Sequence, residues 1–312
     1  MPPKILVICG PTASGKTGLA VELARRHGGE VVSADSMQIY RGMDIGTAKP
    51  SLEERRGVPH HMLDVADPWE DYSAARYVAA ASACVDDILA RGALPIVAGG
   101  TGLYIDALLA GLDFAPFTGG HRAHLWTRVQ AEGIEALYAE LQKIDPQRAA
   151  RLHLADEKRI LRALEVFYET GETITAHDER TKSLPPRYEA LTLALNYADR
   201  GDLWRRIDQR VDEMMAAGLE DEVRKLLEQG VPRGGTAMQA IGYKELAAAL
   251  DEGRPAREGA EEIKLRSRQY AKRQLSWFRR NVAAKWLVWG KTPDFEAALQ
   301  NSTAYMEEYG LV

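Results

Sequence analysis

The chain has 312 residues, an ordinary globular composition and a formal net charge of −5, so its overall field does not favour nucleic acid. This length is enough for one large domain or two ordinary ones with a buried core. The apolar run near the start, residues 5–9, is far too short for a secretory leader or a membrane span, and no later run approaches span length, so we expect a cytoplasmic protein.

The first predicted elements are a strand over residues 4–10 and a helix over residues 16–26. Between them, GPTASGKT fits the phosphate-binding pattern G-x-x-x-x-G-K-[ST] in its proper context. Backbone amides and the helix N-terminus would hold phosphate oxygens, Lys16 would neutralise them, and Thr17 is placed to bind Mg²⁺. The alternative is a chance match in a turn. The cradle comprises Gly10, Pro11, Thr12, Ala13, Ser14, Gly15, Lys16 and Thr17.

Such cradles usually hold ATP, but one element of an ordinary ATPase is missing. An ATPase also has an apolar strand that ends in an aspartate for the metal, whereas the strand at residues 95–98 ends in Gly99, Gly100 and Thr101. Asp64 is a weak substitute. The sequence therefore predicts phosphate binding and leaves ATP hydrolysis open.

Further short apolar runs, each bounded by a turn signal, lie at residues 30–34, 61–65, 95–98, 190–195 and 286–289. Such strands, separated by helical stretches, predict an α/β fold with a P-loop-type parallel sheet flanked by helices. The ligand site of such a sheet lies outside the carboxyl ends of its strands. We expect Gly10, Asp35, Thr101 and Asn196 at these ends.

Strand signals vanish between about residues 114 and 187. Helices are predicted there at residues 121–132, 134–144, 145–152 and 157–170. Glycine and proline mark the edges of this segment at residues 116–120 and 185–186. The sequence thus predicts an α/β core over residues 1–113, a helical insertion domain over 114–187, and the rest of the core over 188–312. Further helices are predicted at residues 202–218, 219–229, 242–250 and 258–280.

Two polar side chains follow core strands. Asp35, in SADSMQIYRGMDIGTAKP, could accept a proton or help to hold Mg²⁺. Its alternative role is a helix N-cap or a turn aspartate. Thr101, in GGTGLY, can present its hydroxyl and amide to an oxygen in the crevice. Its alternative role is a tight turn with a threonine cap.

The helix predicted at residues 258–280 carries a concentration of positive charge: residues 264–285 include eight basic residues and no acidic one. A solvated basic face normally carries acids as well, so the pattern favours phosphate contacts. The apolar side of the helix comprises Ile263, Tyr270, Trp277 and Phe278, with Arg266, Arg273 and Arg280 beside it. We interpret this side as core packing, with base stacking as the alternative. Arg268, Lys272 and Arg279 point the other way.

Cysteine and histidine suggest no metal site. Cys9 and Cys84 are the only cysteines, too few for a disulfide framework or a thiolate zinc site, and we expect both to be core or half-buried thiols. Of the seven histidines, His60 and His61 are adjacent and so diverge; we interpret them as structural or crevice-lining.

Together these segments resemble one family, the tRNA dimethylallyltransferases, also called tRNA isopentenyltransferases. The similarity spans nearly the whole chain, in order, through GPTASGKT, SADSMQIYRGMDIGTAKP, DYSAARY, PIVAGGTGLY, DEKRILRALEVFYETG, MQAIGYKEL and RQYAKRQLSWFRR. DSMQIYRGMDIGTAKP combined with GGTGLY and AKRQLSWFRR is highly specific. The resemblance is to the bacterial type, because the chain lacks the zinc-finger extension of eukaryotic relatives.

The resemblance implies transfer of the dimethylallyl group from dimethylallyl diphosphate to the exocyclic amine of the adenosine 3′ to the anticodon in tRNA, releasing diphosphate. The cradle would then bind the diphosphate. The implied cofactor is Mg²⁺, and the implied partner is the anticodon stem-loop of tRNA, contacted by the insertion. The resemblance implies no membrane, no obligate protein partner and a monomer.

By the same resemblance, Asp35 is the base that takes the proton from the amine. Lys16, the loop amides, Mg²⁺ at Thr17 and the Thr101 hydroxyl would stabilise the departing diphosphate. Arg206 and Arg210 are candidates for closing over it, with ion pairs to Asp208 or Asp212 as the alternative. The residues implied to contact tRNA are Asp35, Ser36, Met37, Gln38, Arg159, Ile160, Leu161, Arg162, Ala163, Gln239, Ala240, Ile241, Gly242, Tyr243, Lys244, Arg273 and Arg280.

The chain departs from the family pattern at RLHLAD, where His-Pro-Asn-Asp is common, and at FTGGHRAHLW, which lacks an acidic, proline-led start. Both lie in the insertion and neither touches the crevice. Three other functions remain as alternatives: an adenylate isopentenyltransferase, a P-loop kinase or NTPase, and a non-catalytic RNA-binding protein. An enzyme for free nucleotides would not need the insertion or the basic helix.

Overall fold

The computed structural model describes residues 2–112, 114 and 120–312. The chain divides into two compact units: unit 1 comprises Met1–Gly111 and Arg187–Val312, and unit 2 comprises Leu112–Pro186. Unit 2 occupies almost the same stretch as the predicted insertion over residues 114–187. The glycine- and proline-rich edge predicted at residues 116–120 lies outside the described residues except for Gly120.

Within the described residues, unit 1 is built on a six-stranded sheet in which every neighbouring pair of strands is parallel. The strands are β1 (Lys4–Cys9), β2 (Gly29–Ser33), β3 (His60–His61), β4 (Leu94–Gly99), β5 (Glu189–Tyr197) and β6 (Lys285–Trp289). Their order across the sheet is β3-β2-β4-β1-β5-β6. All but the first residue of β1 are buried, as expected for a strand covered on both faces. The predicted parallel α/β core is confirmed.

Helices flank the sheet and form unit 2. The first segment of unit 1 contains α1 (Lys16–His27), α2 (Leu52–Arg55), α3 (Ala74–Ala90) and α4 (Gly102–Ala110). Unit 2 contains α5 (Arg122–Glu132), α6 (Ile134–Ile144), α7 (Pro146–Ala149), α8 (Glu157–Thr170) and α9 (Ile174–Lys182). The second segment of unit 1 contains α10 (Arg200–Ala216), α11 (Leu219–Glu228), α12 (Tyr243–Asp251), α13 (Ala256–Phe278) and α14 (Phe295–Tyr309), with a 3₁₀ turn at Ala237–Gln239. None of the described helices combines the length and apolar character that a membrane span requires.

Several predicted elements differ from the structure. The strand predicted at residues 61–65 is present as β3 but is shorter than predicted. It ends at His61 because Met62 and Asp64 have φ of 62° and 56°, which extended backbone does not allow. The helix predicted at residues 145–152 is shorter in the structure: it corresponds to α7, which is capped by the Asp145 carboxylate. No helix was predicted at α3, α9 or α14.

The carboxyl ends of β1, β2 and β4 form the part of unit 1 that matters for function. These strands are neighbours, so the loops that follow them meet at one edge of the sheet. Backbone hydrogen bonds join the segments that follow β2 and β4: Ala34 N donates to Ala98 O at 2.8 Å, and Thr101 N donates to Ala34 O at 3.1 Å. β5 continues one residue beyond the predicted end at Asn196.

The two ends of the core segments that flank unit 2 are joined to each other. Arg187 N and Tyr188 N both donate to Leu109 O, at 2.9 and 3.2 Å. The Tyr188 hydroxyl also donates to Asp86 on α3 at 2.6 Å. The chain therefore leaves unit 1 and returns to it at one place.

Unit 2 has its own apolar core, formed by residues of α5, α6, α7 and α8. The Glu165 side chain is fully buried there and is held by two guanidinium groups, from Arg122 at 2.7 Å and Arg162 at 2.9 Å. These ion pairs lower the pKa of the Glu165 carboxyl against the effect of its burial.

Candidate active site

The loop between β1 and α1 has the geometry of an anion cradle. Ala13 and Gly15 have φ of 62° and 86°, so the chain turns sharply before α1 begins. The Ser14 side chain is 1% exposed, and its hydroxyl has no hydrogen-bond partner within the described part of the chain. Native proteins rarely leave a buried hydroxyl unpaired. The orphaned hydroxyl, the loop amides and the helix N-terminus therefore suit a phosphate ligand.

Two aromatic residues distant in sequence support this cradle. Trp289, at the end of β6, donates its indole N–H to the backbone carbonyl of Ser14 at 2.8 Å. The Phe295 ring lies 5.2 Å from the Trp289 ring and packs against Gly15 and Gly18. The sequence did not reveal this support.

A crevice of about 1240 Å³ opens beside the cradle. Residues 13–18 line one side, and Arg205, Arg206 and Arg210 of α10 line another. Tyr197, the last residue of β5, also faces it. A crevice lined by a P-loop and by arginines is suited to an anionic ligand.

The structure contradicts the alternative proposed for Arg206 and Arg210. Asp208 pairs with Arg268 at 2.7 Å, and Asp212 pairs with Lys264 at 2.7 Å. Arg206 instead lies 3.6 Å from Glu213. Both arginines remain on the wall of the crevice.

The electrostatics of the crevice favour an added anion. The Lys16 ammonium donates to Pro11 O at 2.7 Å. Burial, followed by repulsion from Arg210, lowers the pKa of Lys16 from 10.5 to about 8. Burial and repulsion from Arg206 likewise lower the pKa of Arg210. An anion between these cations would relieve the repulsion.

A second cavity of about 300 Å³ lies next to the first. Its walls join segments that are far apart in sequence: Thr12, Ala13, Asp35, Ser36, Met37, Gly46, Thr47, Gln239, Ala240, Ile241, Gly242, Tyr270 and Arg273. Both cavities are also lined by Ala13, Arg210 and Met214. The structure thus brings the cradle, the Asp35 segment and residues 239–242 to one place.

Asp35 occupies a wall of the second cavity and also shapes its own turn. One carboxylate oxygen accepts the Met37 N–H at 2.9 Å. Tyr270 faces the same cavity, and burial together with the negative charge of Asp35 raises the pKa of its hydroxyl to about 12. The predicted turn role and a position suited to proton transfer therefore coexist in Asp35.

Thr101 connects the loop after β4 to the segment that contains Asp35. Its hydroxyl accepts the Ser36 N–H at 3.1 Å. Thr101 is the N-cap residue of α4, as its alternative role predicts, but its side chain makes no capping hydrogen bond to that helix. Thr101 lies one residue from Gly100, whose carbonyl accepts from the Gln274 amide at 2.9 Å.

Several residues implied to contact tRNA are occupied within the protein. The Gln38 amide accepts from Ser33 Oγ at 2.9 Å and donates to Thr47 O and Ala48 O, both at 3.2 Å. Tyr243 is fully buried, whereas Lys244 is exposed. The Gln239 side chain donates to Arg233 O at 2.9 Å.

On α8, the implied contact residues divide by burial. Ile160, Leu161 and Ala163 are at most 2% exposed and belong to the core of unit 2. The Arg159 side chain is 69% exposed, with Asp156 at 3.8 Å. Arg159 is therefore the member of this group best placed to meet a ligand.

The basic stretch on α13 is less free than its sequence suggests. Besides Lys264 and Arg268, Arg266 pairs with Glu262 at 3.4 Å, and Arg280 lies 3.4 Å from Asp106. Arg280 also stacks on Trp277 at 3.8 Å, and Arg273 lies over Tyr270 at 5.6 Å. Core packing is confirmed for the Ile263 and Phe278 side chains, which are 2% and 6% exposed.

Asp64, His60 and His61 each make contacts within the protein. Asp64, the weak substitute for an ATPase aspartate, lies on the crevice wall but binds Lys49 at 2.6 Å. His61 binds Glu30 at 2.7 Å, and His60 bonds to Val58 O, so both are structural. Within residues 2–112, 114 and 120–312, no group of three or more His, Cys, Asp or Glu could hold a metal ion. Cys9 is buried and Cys84 half-buried, as predicted.

Gln274 and Glu222 are site residues that sequence reasoning missed. Gln274 is 5% exposed and bonds to the cradle. Its signal is an uncharged polar residue spaced four and three positions from Tyr270 and Trp277, on the apolar face of a basic helix. Glu222 binds the loop at residues 44–46 from α11, and nothing in its local pattern marks it.

Comparisons with known proteins agree with this geometry. The profile of a family described as IPP transferase matches residues 38–281, and that of Isopentenyl transferase matches residues 3–67. A tRNA dimethylallyltransferase of Acetivibrio thermocellus is 42% identical over 309 residues, 98% of either chain. One of Geobacter metallireducens is 48% identical over 287 residues, 91% of this chain and 92% of the relative.

The chain is also similar to solved structures of transferases that carry the same kind of name. A tRNA isopentenylpyrophosphate transferase from Bacillus halodurans is 40% identical, with a TM-score of 0.73 over 98% of this chain and 96% of its own. A eukaryotic dimethylallyltransferase acting on tRNA is 29% identical, with a TM-score of 0.81 over 98% of this chain and 80% of its own. The resemblance carried by the sequence motifs is confirmed, and the chain belongs to the IPP transferase family.

Proposed function

We propose that this protein transfers the dimethylallyl group of dimethylallyl diphosphate to the exocyclic amine of the adenosine 3′ to the anticodon in tRNA, releasing diphosphate. The observation that carries this proposal is the junction of the two cavities at Ala13, Arg210 and Met214. A donor with its diphosphate in the cradle would direct its allylic carbon toward this junction. An acceptor base in the smaller cavity would approach the same point beside Asp35.

The donor side needs groups that stabilise the negative charge of the leaving diphosphate. Lys16, the loop amides and the Ser14 hydroxyl would bind its oxygens, and Arg206 and Arg210 would close over them. Thr17 lines the crevice, and its hydroxyl would hold Mg²⁺ together with the substrate oxygens. Mg²⁺ would contribute neutralisation of diphosphate charge.

The acceptor side needs close placement and a proton acceptor, because the lone pair of an aromatic exocyclic amine is delocalised. Asp35 is proposed to take that proton as the new carbon–nitrogen bond forms. Thr101 would hold the Asp35 segment through Ser36 N and offer its hydroxyl to a diphosphate oxygen. Entry of the adenine requires that it leave the base stack of the anticodon loop, which costs a few kcal/mol.

Recognition of tRNA is proposed to use exposed cations and unit 2. Arg159, Lys244 and Arg273 are exposed and suited to phosphate contacts. RNA loops are usually read through their backbone and splayed bases, so a helical unit such as unit 2 could hold the anticodon stem-loop. We propose that a single chain is sufficient, because one chain lines both cavities, and that the protein works in the cytoplasm, where tRNA is present.

The direct test is incubation with Mg²⁺, dimethylallyl diphosphate and unmodified tRNA, followed by digestion and mass measurement of the nucleosides. One adenosine per tRNA should gain the mass of the prenyl group. Parallel reactions replace tRNA with AMP or supply ATP without the allylic donor. Prenylation of AMP alone would identify an adenylate prenyltransferase, and ATP turnover without prenyl transfer would identify an NTPase.

A further inference from the structure

Gln274 on α13 joins two loops of the proposed active site. Its side-chain oxygen accepts the Thr12 N–H at 2.9 Å, and its side-chain nitrogen donates to Gly100 O at 2.9 Å. The residue is 5% exposed, so neither bond is readily replaced by water. Both ends of one buried amide are therefore committed to backbone groups of the site.

The hydrogen bonds continue beyond Gln274 on the acceptor side. Gly100 precedes Thr101, whose hydroxyl accepts the Ser36 N–H at 3.1 Å and whose backbone N–H donates to Ala34 O at 3.1 Å. Ala34 and Ser36 flank Asp35. A continuous series of contacts thus runs from the phosphate cradle through Gln274 to the segment that carries the proposed base.

The fit around Gln274 leaves no room for a larger neighbour. A Cβ atom on Gly100 would overlap the Gln274 amide nitrogen, so glycine permits this close approach. Thr12 lines the acceptor cavity, and so does Tyr270, one helical turn before Gln274. The Thr12 amide is engaged by Gln274, so it serves to place the loop.

We propose that Gln274 is a positioning residue for prenyl transfer: it sets the spacing between the diphosphate cradle and Asp35 and fixes both relative to the helix that lines the acceptor cavity. This inference rests on the proposed function. Transfer between two bound substrates depends steeply on their separation, and a displacement of about 1 Å can cost on the order of 10²-fold in rate. Gln274 would act on the rate of the bound complex and not on the affinity for either substrate.

Two substitutions separate the contributions of the Gln274 amide. Gln274→Met keeps the length of the side chain and loses both hydrogen bonds. Gln274→Glu retains an acceptor for the Thr12 N–H but cannot donate to Gly100 O when ionised. Gln269→Met, on the same helix, is the matched control, because Gln269 lines neither cavity.

The experiment measures kcat and the KM for each substrate with the full-length protein, and single-turnover rates at saturating tRNA and dimethylallyl diphosphate. Gln274→Met and Gln274→Glu should lower the single-turnover rate about 10- to 100-fold, while both KM values stay within about threefold and Gln269→Met matches the wild type. An unchanged rate in both Gln274 variants, or a loss confined to KM, would overturn the inference. Failure of the wild type to transfer the prenyl group would instead overturn the proposed function.

A second approach tests the contact between Gln274 and Gly100 from the opposite partner. In Gly100→Ala, the added methyl group would overlap the Gln274 amide and displace it. In Gln274→Ala, the amide that would be displaced is absent. If the two residues act as one unit, the double variant should be no slower than the slower single variant. Multiplication of the two single losses would show that they act independently and would overturn the inference.

Discussion

The hydroxyl of Tyr243 donates a hydrogen bond of 2.6 Å to the carboxylate of Glu222. The same carboxylate accepts the N–H groups of Asp44 and Ile45 at 2.9 Å each and of Gly46 at 3.2 Å. A Cβ atom on Gly46 would overlap the Tyr243 ring. The loop at residues 44–46, which lines both cavities, is therefore held by α11 and α12.

Glu222→Gln should loosen this wall. The amide presents an NH₂ group to N–H donors that need an acceptor, so at least one backbone N–H of the loop loses its partner and the fold loses stability. We expect a lower Tm and several-fold higher KM values for both tRNA and dimethylallyl diphosphate, because the loop lines both cavities. Glu228→Gln, on an exposed position of the same helix, is the control. Unchanged KM values for both substrates would contradict this support role.

Asp35→Asn tests the proposed proton acceptor without removing the turn. An asparagine oxygen can still accept the Met37 N–H, but the amide cannot take a proton at neutral pH. We expect the single-turnover rate to fall about 10²- to 10⁴-fold, with tRNA binding unchanged in a filter-binding assay. Asp87→Asn, at an exposed position of α3, is the control. A non-catalytic RNA-binding protein would show no prenyl transfer before or after the substitution.

The lowered pKa of Lys16 gives diphosphate binding a pH dependence. The free protein carries a Lys16 pKa of about 8, lowered by burial and by Arg210. Above pH 8 the ammonium is neutral before the anion arrives, so binding must take up a proton and the affinity should weaken, by up to about tenfold per pH unit. Calorimetry with inorganic diphosphate and Mg²⁺ from pH 7 to 9 measures this. Lys16→Arg, whose guanidinium stays charged, should abolish the part of the slope that comes from residue 16.

The melting temperature of the wild type should rise relative to that of Lys16→Arg as the pH increases, because the guanidinium of the variant stays charged. Between pH 8 and 10.5 the unfolded chain binds more protons at Lys16 than the folded chain. The contribution of this residue to folding stability therefore rises with pH while diphosphate affinity falls. A difference in Tm between the wild type and Lys16→Arg that does not grow with pH would mean that Lys16 does not have the lowered pKa.

Trp289→Phe removes the donor that supports the cradle and keeps the aromatic packing with Phe295. It leaves the Ser14 carbonyl without this partner, at a cost of about 1–3 kcal/mol in unfolding free energy. We expect a several-fold higher KM for dimethylallyl diphosphate and an unchanged KM for tRNA. Trp286→Phe, on the same strand, controls for loss of an indole. A rise confined to the KM for tRNA would refute this support role.

The residues of the site that directly follow parallel strands could be predicted from the sequence. The cradle, Asp35 and Thr101 each come directly after a strand, and β1, β2 and β4 are neighbours in the sheet. Carboxyl ends of adjacent parallel strands meet at one edge, so the sequence predicts that these loops converge. The cavity that joins the cradle to Asp35 agrees with that expectation.

The supporting contacts could not be predicted because they join distant parts of the chain. Gln274 meets a backbone group 262 residues away, Trp289 one 275 residues away, and Glu222 one 178 residues away. Periodicity and motif spacing carry no information about such pairs. For the same reason, the acids that pair with the basic residues of α13 include Asp208 on α10 and Asp106 on α4, which the local charge pattern cannot reveal.

Some local elements also could not be predicted from the sequence pattern. The left-handed backbone of Met62 and Asp64 ends β3 early, although neither residue type signals it. The helix α9 is polar along most of its length and begins at a Thr173 cap, so no apolar stripe marks it.

The single exit and return of the chain at Leu109 and Arg187 makes the core modular. The strand pairs that build the sheet all form outside residues 112–186, so their register does not depend on what is inserted there. A short linker could close the gap, because the flanking segments already bond to each other. The inserted unit can therefore change in length or sequence without altering the strand register of the core.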